Sequence, residues 1–311
     1  MQTILITGGT GLIGSALSKM LAQKGYDIII LTRRHAASGL RHPQPGIAYS
    51  EWNIQNQTID NEVVKKSDCI IHLAGANIAE KRWSAKRKKE IFQSRVDSSA
   101  LLVKVLKEIP NKVRTVVSAS AIGWYGEDPS IPNAEAFKET DPAAPGFLGE
   151  TCKAWEESIQ PVALLGKRLV KLRTGIVLSN EGGAFPQFKQ PVKFGMAAIL
   201  GSGKQVMSWI HIEDLCRMYL YAIEQELING AFNAVAPNPV DNKTFVLKLA
   251  ERMRGRFFIP IHVPAFALKL VLGEMSIEVL KSSTVSNQKI RHAGFQFLFS
   301  SAEAALGQLI K

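Results

Sequence analysis

Cysteine is scarce in this chain: Cys69, Cys152 and Cys216 are far apart and odd in number. They form neither a C-x-x-C nor a Cys/His ligand pattern, so no disulfide framework and no metal site is expected. No apolar run approaches the ~20 residues of a membrane-spanning helix. The apolar start "ILITGG" turns into glycines before a secretory leader can form. The expectation is a cytoplasmic protein with reduced thiols, no metal and no membrane partner. Internal repeats and low-complexity tracts are also missing.

Acids are outnumbered, 27 against 38 bases, which leaves a net charge of +11. Such an excess suits nucleic acid, an acidic membrane surface or an anionic ligand. Its densest source is "EKRWSAKRKKEIFQSRV" (80–96). On a helix, Trp83, Ile91, Phe92 and Val96 form an inward stripe while residues 86–89 spread around a solvated outside. No RNA-binding aromatic signature, helix-turn-helix or zinc finger accompanies the charge, so nucleic acid is not the expected partner. A small polar or anionic molecule is.

What is present is an ordinary globular balance, 46% apolar and 21% charged over 311 residues. Unalternated β-branched runs at 3–7, 27–31, 68–75, 113–120 and 168–179 read as strands. Helical periods at 12–23, 84–107 and 147–165 separate them. Buried strands alternating with helices predict an α/β fold, a doubly wound parallel sheet with helices on both faces. After residue 178 the rhythm changes to a smaller, mixed C-terminal lobe, with helices at 243–254, 264–281 and 301–310 and a strand in "GFQFLFS". We therefore expect a nucleotide-binding unit over 1–178, joined by a returning segment near 205–240, and a substrate-covering lobe over 179–311.

The sharpest motif is "ILITGGTGLIGSAL". Gly8, Gly11 and Gly14 follow a strand and open a helix, the arrangement of a Rossmann pyrophosphate loop whose backbone runs Gly8, Gly9, Thr10, Gly11, Leu12, Ile13, Gly14. The next strand ends in Thr32, Arg33 and Arg34, where an enzyme preferring NAD carries an acid for the ribose hydroxyls. A guanidinium binds a 2′-phosphate bidentately. The predicted cofactor is NADP(H), with Arg33 its main phosphate ligand.

With these residues, and with "LTRR", "HLAGANI", "SRV", "SASAIGWYG", "LRTGIVLS", "GSGKQVMSWIHIEDL", "FNAVAPNPV" and the closing "GFQF", the chain resembles the short-chain dehydrogenase/reductase superfamily. It is most similar to its extended, epimerase/dehydratase-like branch, in a subgroup labelled sugar-nucleotide epimerase-like or cell-division-inhibitor-like. The resemblance implies that Leu73, Ala74 and Gly75 line the adenosine and ribose side. It also implies that Glu90 and Arg95 reach the cofactor, that Val177 lies beside the nicotinamide, and that the protein is a homodimer.

The family's chemistry uses a Tyr-x-x-x-Lys pair and a Ser or Thr. In "GFLGETCKAWEES" (146–158) Lys153 keeps its place, but Gly149 stands where the tyrosine belongs. Ser120 matches the Ser/Thr position, and Tyr125 is the nearest replacement phenol. The loop before His211 carries Lys204 and Gln205 where sugar-nucleotide enzymes have a diphosphate-binding arginine. The implied catalytic residues are Ser120, Tyr125 and Lys153. Two functions stand: an NADP(H)-dependent oxidoreductase or epimerase-like enzyme with an atypical active site, or a non-catalytic NADP(H)-sensing regulator.

Overall fold

The computed structural model describes residues 2–33 and 45–310. In chain order the first part runs β1 (Thr3–Thr7), α1 (Leu12–Gln23), β2 (Asp27–Thr32), β3 (Ile47–Asn53), β4 (Thr58–Ile59), α2 (Asn61–Lys66), β5 (Cys69–His72), α3 (Ala85–Glu108) and β6 (Thr115–Ala121). Then come α4 (Phe147–Ile159), α5 (Pro161–Leu164), β7 (Arg168–Thr174) and β8 (Ile176–Leu178). The rest comprises α6 (Phe185–Lys193), β9 (Met196–Leu200), β10 (Val206–Met207), β11 (Trp209–His211), α7 (Ile212–Glu224), β12 (Gly230–Ala234) and β13 (Val240–Asp241). It closes with α8 (Asn242–Arg254), β14 (Ile259–Val263), α9 (Ala265–Leu272), α10 (Ser276–Leu280), α11 (Gln288–His292) and α12 (Ala302–Leu309).

Among the described residues, eight strands form one sheet in the order β12-β7-β6-β5-β1-β2-β3-β4. All are parallel except the short β4. Successive side chains of a strand point to opposite faces, and β1 uses both. Ile4 and Ile6 join Leu17 and Leu21 of α1 and Leu215 and Tyr219 of α7. Leu5 faces the other way, with Val64 of α2, Leu101 and Leu102 of α3 and Ile159 of α4. The strand order reverses between β1 and β5, which opens a crevice at their C-terminal ends, the place where doubly wound sheets take ligands. A second core lies in the lobe, where Phe185, Phe245, Leu249 and Leu306 pack around Trp209.

The structure amends several elements. The predicted strand 168–179 breaks at Gly175, whose N–H donates to the Ala234 carbonyl while that of Ile176 turns to Ser208. β8 thereby leaves the main sheet and pairs with β11 in the lobe. The helix expected over 264–281 is interrupted by Gly273, at φ 62°. "GFQFLFS" is not a strand: the Leu298 and Phe299 amides donate instead to the carboxylate of Asp214, both at 2.9 Å. In α3 the inward stripe contains Ile91 but not Phe92, which is exposed. Arg87, expected outside, is buried and paired with Glu80 and Glu90.

Candidate functional site

Thr7 ends β1, and Gly8 turns the chain at φ 68°. A Cβ on Gly8 would stand 2.8 Å from the Leu73 carbonyl, and one on Gly14 2.3 Å from the Gly8 oxygen. Both are below any tolerable contact, so only glycine lets the loop close on β5 and on its own helix. Gly9 is buried against Ile30, Thr10 and Gly11 are exposed, and Leu12 and Ile13 are half-buried. Gly11 caps α1 without a side-chain bond, and no acid occupies the first turn. The leading amides of α1 and the positive end of its dipole therefore face the crevice. This cradle fits a pyrophosphate.

The crevice's opposite lip is the 73–76 turn. Gly75 lies against the Arg95 guanidinium, which donates to the Ala76 carbonyl at 3.2 Å and the Ile91 carbonyl at 2.9 Å and lies 4.9 Å over Trp155. Arg95 thus holds the turn in place. Ala74 is buried and Leu73 packs onto the core. At the end of β2, Thr32 is half-buried and Arg33 exposed; Arg34 lies outside the described residues. Glu90, bonded to Arg87 at 2.7 Å, is held below the usual carboxylate range by that bond, with Lys81 and Arg33 contributing charge. Arg33 and Glu90 are therefore electrostatic neighbours. Val177, in β8, comes to the glycine loop through the 182–183 turn, where Gly183 packs on both Leu12 and the Val177 carbonyl.

The implied catalytic residues do not converge. Ser120 is 3% exposed, and its hydroxyl donates inward to Glu156 Oε1 at 2.7 Å. Tyr125 is 1% exposed, stacks on Phe137, donates to Asn233 at 2.7 Å and accepts from Arg173 at 3.0 Å. Burial pushes its phenol up to about 12. With both hydrogen-bonding functions engaged in the core, Tyr125 is a packing residue and not an accessible proton donor. Lys153 is exposed, with Glu157 3.9 Å away. At Gly149 a Cβ would sit 2.0 Å from the Ala144 carbonyl oxygen, so the backbone of the 126–146 loop fills the place of a side chain. Lys204 is exposed, whereas Gln205 is buried and donates to the Leu200 carbonyl.

Sequence reasoning missed the buried charge cluster behind Ser120. Glu156 takes Arg173 Nε at 2.7 Å and Lys171 at 3.5 Å. Arg173 also covers the Trp124 ring at 3.6 Å. The signal was available, since the three cations of the strand "RLVKLRT" must find partners if the strand is buried.

A doubly wound parallel sheet with a glycine cradle at its switch point defines a dinucleotide-binding α/β protein. Its family follows from likeness across the whole chain. Residues 4–153 match the NAD dependent epimerase/dehydratase family, and residues 263–309 match a domain of unknown function, DUF1731. The epimerase family protein SSP1921 of Staphylococcus saprophyticus is 38% identical, with all of both chains covered. The epimerase family protein YfhF of Bacillus subtilis is 34% identical over 99% of this chain and 98% of its own. Among solved structures, human epimerase family protein SDR39U1 (isoform 2) with NADPH superposes at TM-score 0.85, with 27% identity and 99% of each chain covered. A nucleoside-diphosphate sugar epimerase from Corynebacterium glutamicum superposes at 0.77, with 29% identity over 99% of this chain and 58% of that one. The chain belongs to the NAD dependent epimerase/dehydratase family, and the nicotinamide cofactor is its class of ligand.

Proposed function

We propose that this protein is an NADP(H)-dependent oxidoreductase or epimerase-like enzyme for a small polar substrate, working without a tyrosine at position 149. The observation that carries the reading is the glycine cradle followed by Arg33 at the end of β2, where no acid stands. The human relative solved with NADPH supports the phosphorylated form of the cofactor. When bound, a nicotinamide dinucleotide supplies a hydride donor or acceptor.

The chain's own residues supply the rest. The first-turn amides of α1 hold the pyrophosphate, and Arg33 pairs with the 2′-phosphate, with Glu90 limiting how far that guanidinium strays. Leu73, Ala74 and Gly75 line the adenosine and ribose side, Arg95 fixes their turn, and Val177 flanks the nicotinamide. Because the Ser120 proton is given to Glu156, Ser120 can accept a bond from substrate but not donate one. Lys153 is the exposed proton-bearing group of the three, and a reductase needs one proton delivered to the product oxygen.

Fluorescence titration of NADPH and NADH into the wild type and Arg33→Ala tests the cofactor assignment. NADPH should bind at least roughly tenfold more weakly to the variant, about 1.4 kcal/mol, with NADH little changed. Unchanged NADPH affinity removes the assignment. Turnover is then sought as NADPH consumption on a panel of aldehydes, ketones and nucleotide sugars.

A specific observation favours a second reading, an NADP(H)-sensing regulator: both the Ser120 and Tyr125 hydroxyls are committed inside the protein. Tight NADPH binding with no turnover on the panel, and partner capture that changes with cofactor redox state, would distinguish it.

A further inference from the structure

The lobe carries an outer surface that the cofactor crevice does not use. β9 and β14 pair in parallel, with Met196 beside Ile259 and Ala198 beside Ile261. The intervening Ala197 and Ile199 are buried, so strand alternation turns the first set outward. That outward face is apolar at each of these positions. Phe257, two residues before β14, is 83% exposed. Beyond Pro264 the chain continues into α9, a helix with no buried residue, where Phe266 and Leu270 are 74% and 76% exposed. So many bare apolar side chains along one stretch of chain, 257–271, mark an interaction site.

Its rim is cationic. Arg254 approaches Gly195 at the foot of β9, Arg256 precedes Phe257, and Lys269 sits between Phe266 and Leu270. None of the three has a salt-bridge partner among the described residues. The two acids of the segment 255–281 are neutralised, Glu274 by Lys88 at 2.7 Å and Glu278 by Lys281 at 2.8 Å. The Glu274 pair and the contact of Arg82 with Gly273 bring the basic start of α3 to the same rim.

We propose that this face docks onto an anionic phospholipid bilayer. Phe257, Phe266 and Leu270 enter the boundary between headgroups and acyl chains, while Arg254, Arg256, Lys269 and the exposed Arg82 lie on lipid phosphates. A second copy of this chain is a poorer occupant, because it would press the same unpaired cations against themselves. Strand addition is blunted as well, since Pro260 removes an N–H from the outer edge of β14. Side chains that stand three-quarters free suit a fluid phase that moulds around them, whereas a protein partner must supply matched pockets. The contact is peripheral and not a span, so it departs from the expectation of no membrane partner, and it stands independently of the cofactor reading.

The test is flotation of the full-length protein with two kinds of vesicle: phosphatidylcholine alone, and phosphatidylcholine mixed with an equal amount of phosphatidylglycerol. Binding is expected only to the second, and should weaken as salt is raised. The exposed pairs Phe257→Ser/Phe266→Ser and Arg254→Glu/Arg256→Glu should each lower the bound fraction roughly tenfold. NADPH affinity should be unchanged in both, which verifies folding and separates this result from failure of the cofactor assignment. Equal flotation of the wild type and the Phe257→Ser/Phe266→Ser variant, or equal binding to both vesicles, overturns the proposal. So does a wild-type dimer in sedimentation velocity that the Phe257→Ser/Phe266→Ser variant abolishes, since the face then belongs to a second copy.

Discussion

The hydroxyl of Thr7 lies 2.8 Å from Nδ1 of His72, joining the ends of β1 and β5 beneath the glycine loop. Thr7 Oγ1 also accepts from the Leu73 and Ala74 amides, each at 3.1 Å. Its lone pairs are thereby used, so its proton goes to Nδ1 and the imidazole proton resides on Nε2, facing Ser99 at 3.1 Å. Both lips of the crevice hang on this pair.

Thr7→Val keeps the shape of the side chain and removes the hydroxyl, leaving the Ala74 amide and a ring nitrogen unsatisfied while the Leu73 amide keeps the Thr7 carbonyl. It should lower stability by roughly 2–4 kcal/mol and weaken NADPH binding by a comparable or smaller factor. Urea denaturation and cofactor titration measure the two effects. A variant as stable as the wild type would remove the hydroxyl from this role.

His72 is fully buried, and burial, with Arg95 adding, drives its pKa down to about 3. In the unfolded chain it titrates near the ordinary histidine value of about 6.5. The folded protein therefore binds fewer protons between these values, and its stability is complete above about 6.5 and falls as pH drops toward 3. Each unit within that window should cost about 1.4 kcal/mol. His211, also shifted down by burial, acts with the same sign. Unfolding free energies measured from pH 7.5 to 4.5 should show the slope, and His72→Gln should flatten it.

Restoring a tyrosine by Gly149→Tyr should not restore chemistry. The Ala144 backbone occupies the space and is itself held through its amide to the Trp124 carbonyl at 2.8 Å. The variant should lose roughly 3 kcal/mol or more through overpacking. A thermal midpoint equal to the wild type, together with new NADPH-dependent turnover, would show that the loop can yield.

Arg173→Met strips Glu156 of its closest cation inside the core. Breaking such a buried pair typically destabilises by about 3–5 kcal/mol, because the orphaned charge remains. Adding Glu156→Gln to the same chain should recover part of the loss, giving a coupling energy above roughly 1 kcal/mol. Strictly additive losses in a denaturation double-mutant cycle would mean that the two residues do not act as a pair.

The sheet and the glycine cradle were legible because both are written locally. "TILIT" and "DIIIL" need only their own β-branched residues, and Gly8 to Gly14 announce a turn that larger side chains cannot make. Elements that depend on distant partners were not legible. Gly175 looks like any residue of "RTGIV" until Ala234 and Ser208 supply the two acceptors that draw the strand apart. "GFQFLFS" has strand composition, yet its amides answer to Asp214, some eighty residues earlier. Arg87 read as a surface charge because Glu80 and Glu90 converge on it only in three dimensions. At the candidate site the shape of the glycine loop was readable and the orientation of Ser120 and Tyr125 was not, since whether they face outward depends on Glu156 and Asn233.

The position of α12 sets an order of assembly. Its Ala305, Leu306 and Leu309 complete the lobe's core, and Gln308 meets His211 at 3.1 Å. The nucleotide-holding sheet has all its strands once β12 has been synthesised. The lobe lacks a wall until residues 302–309 have been made, so the helix that shuts the molecule arrives long after the sheet is complete.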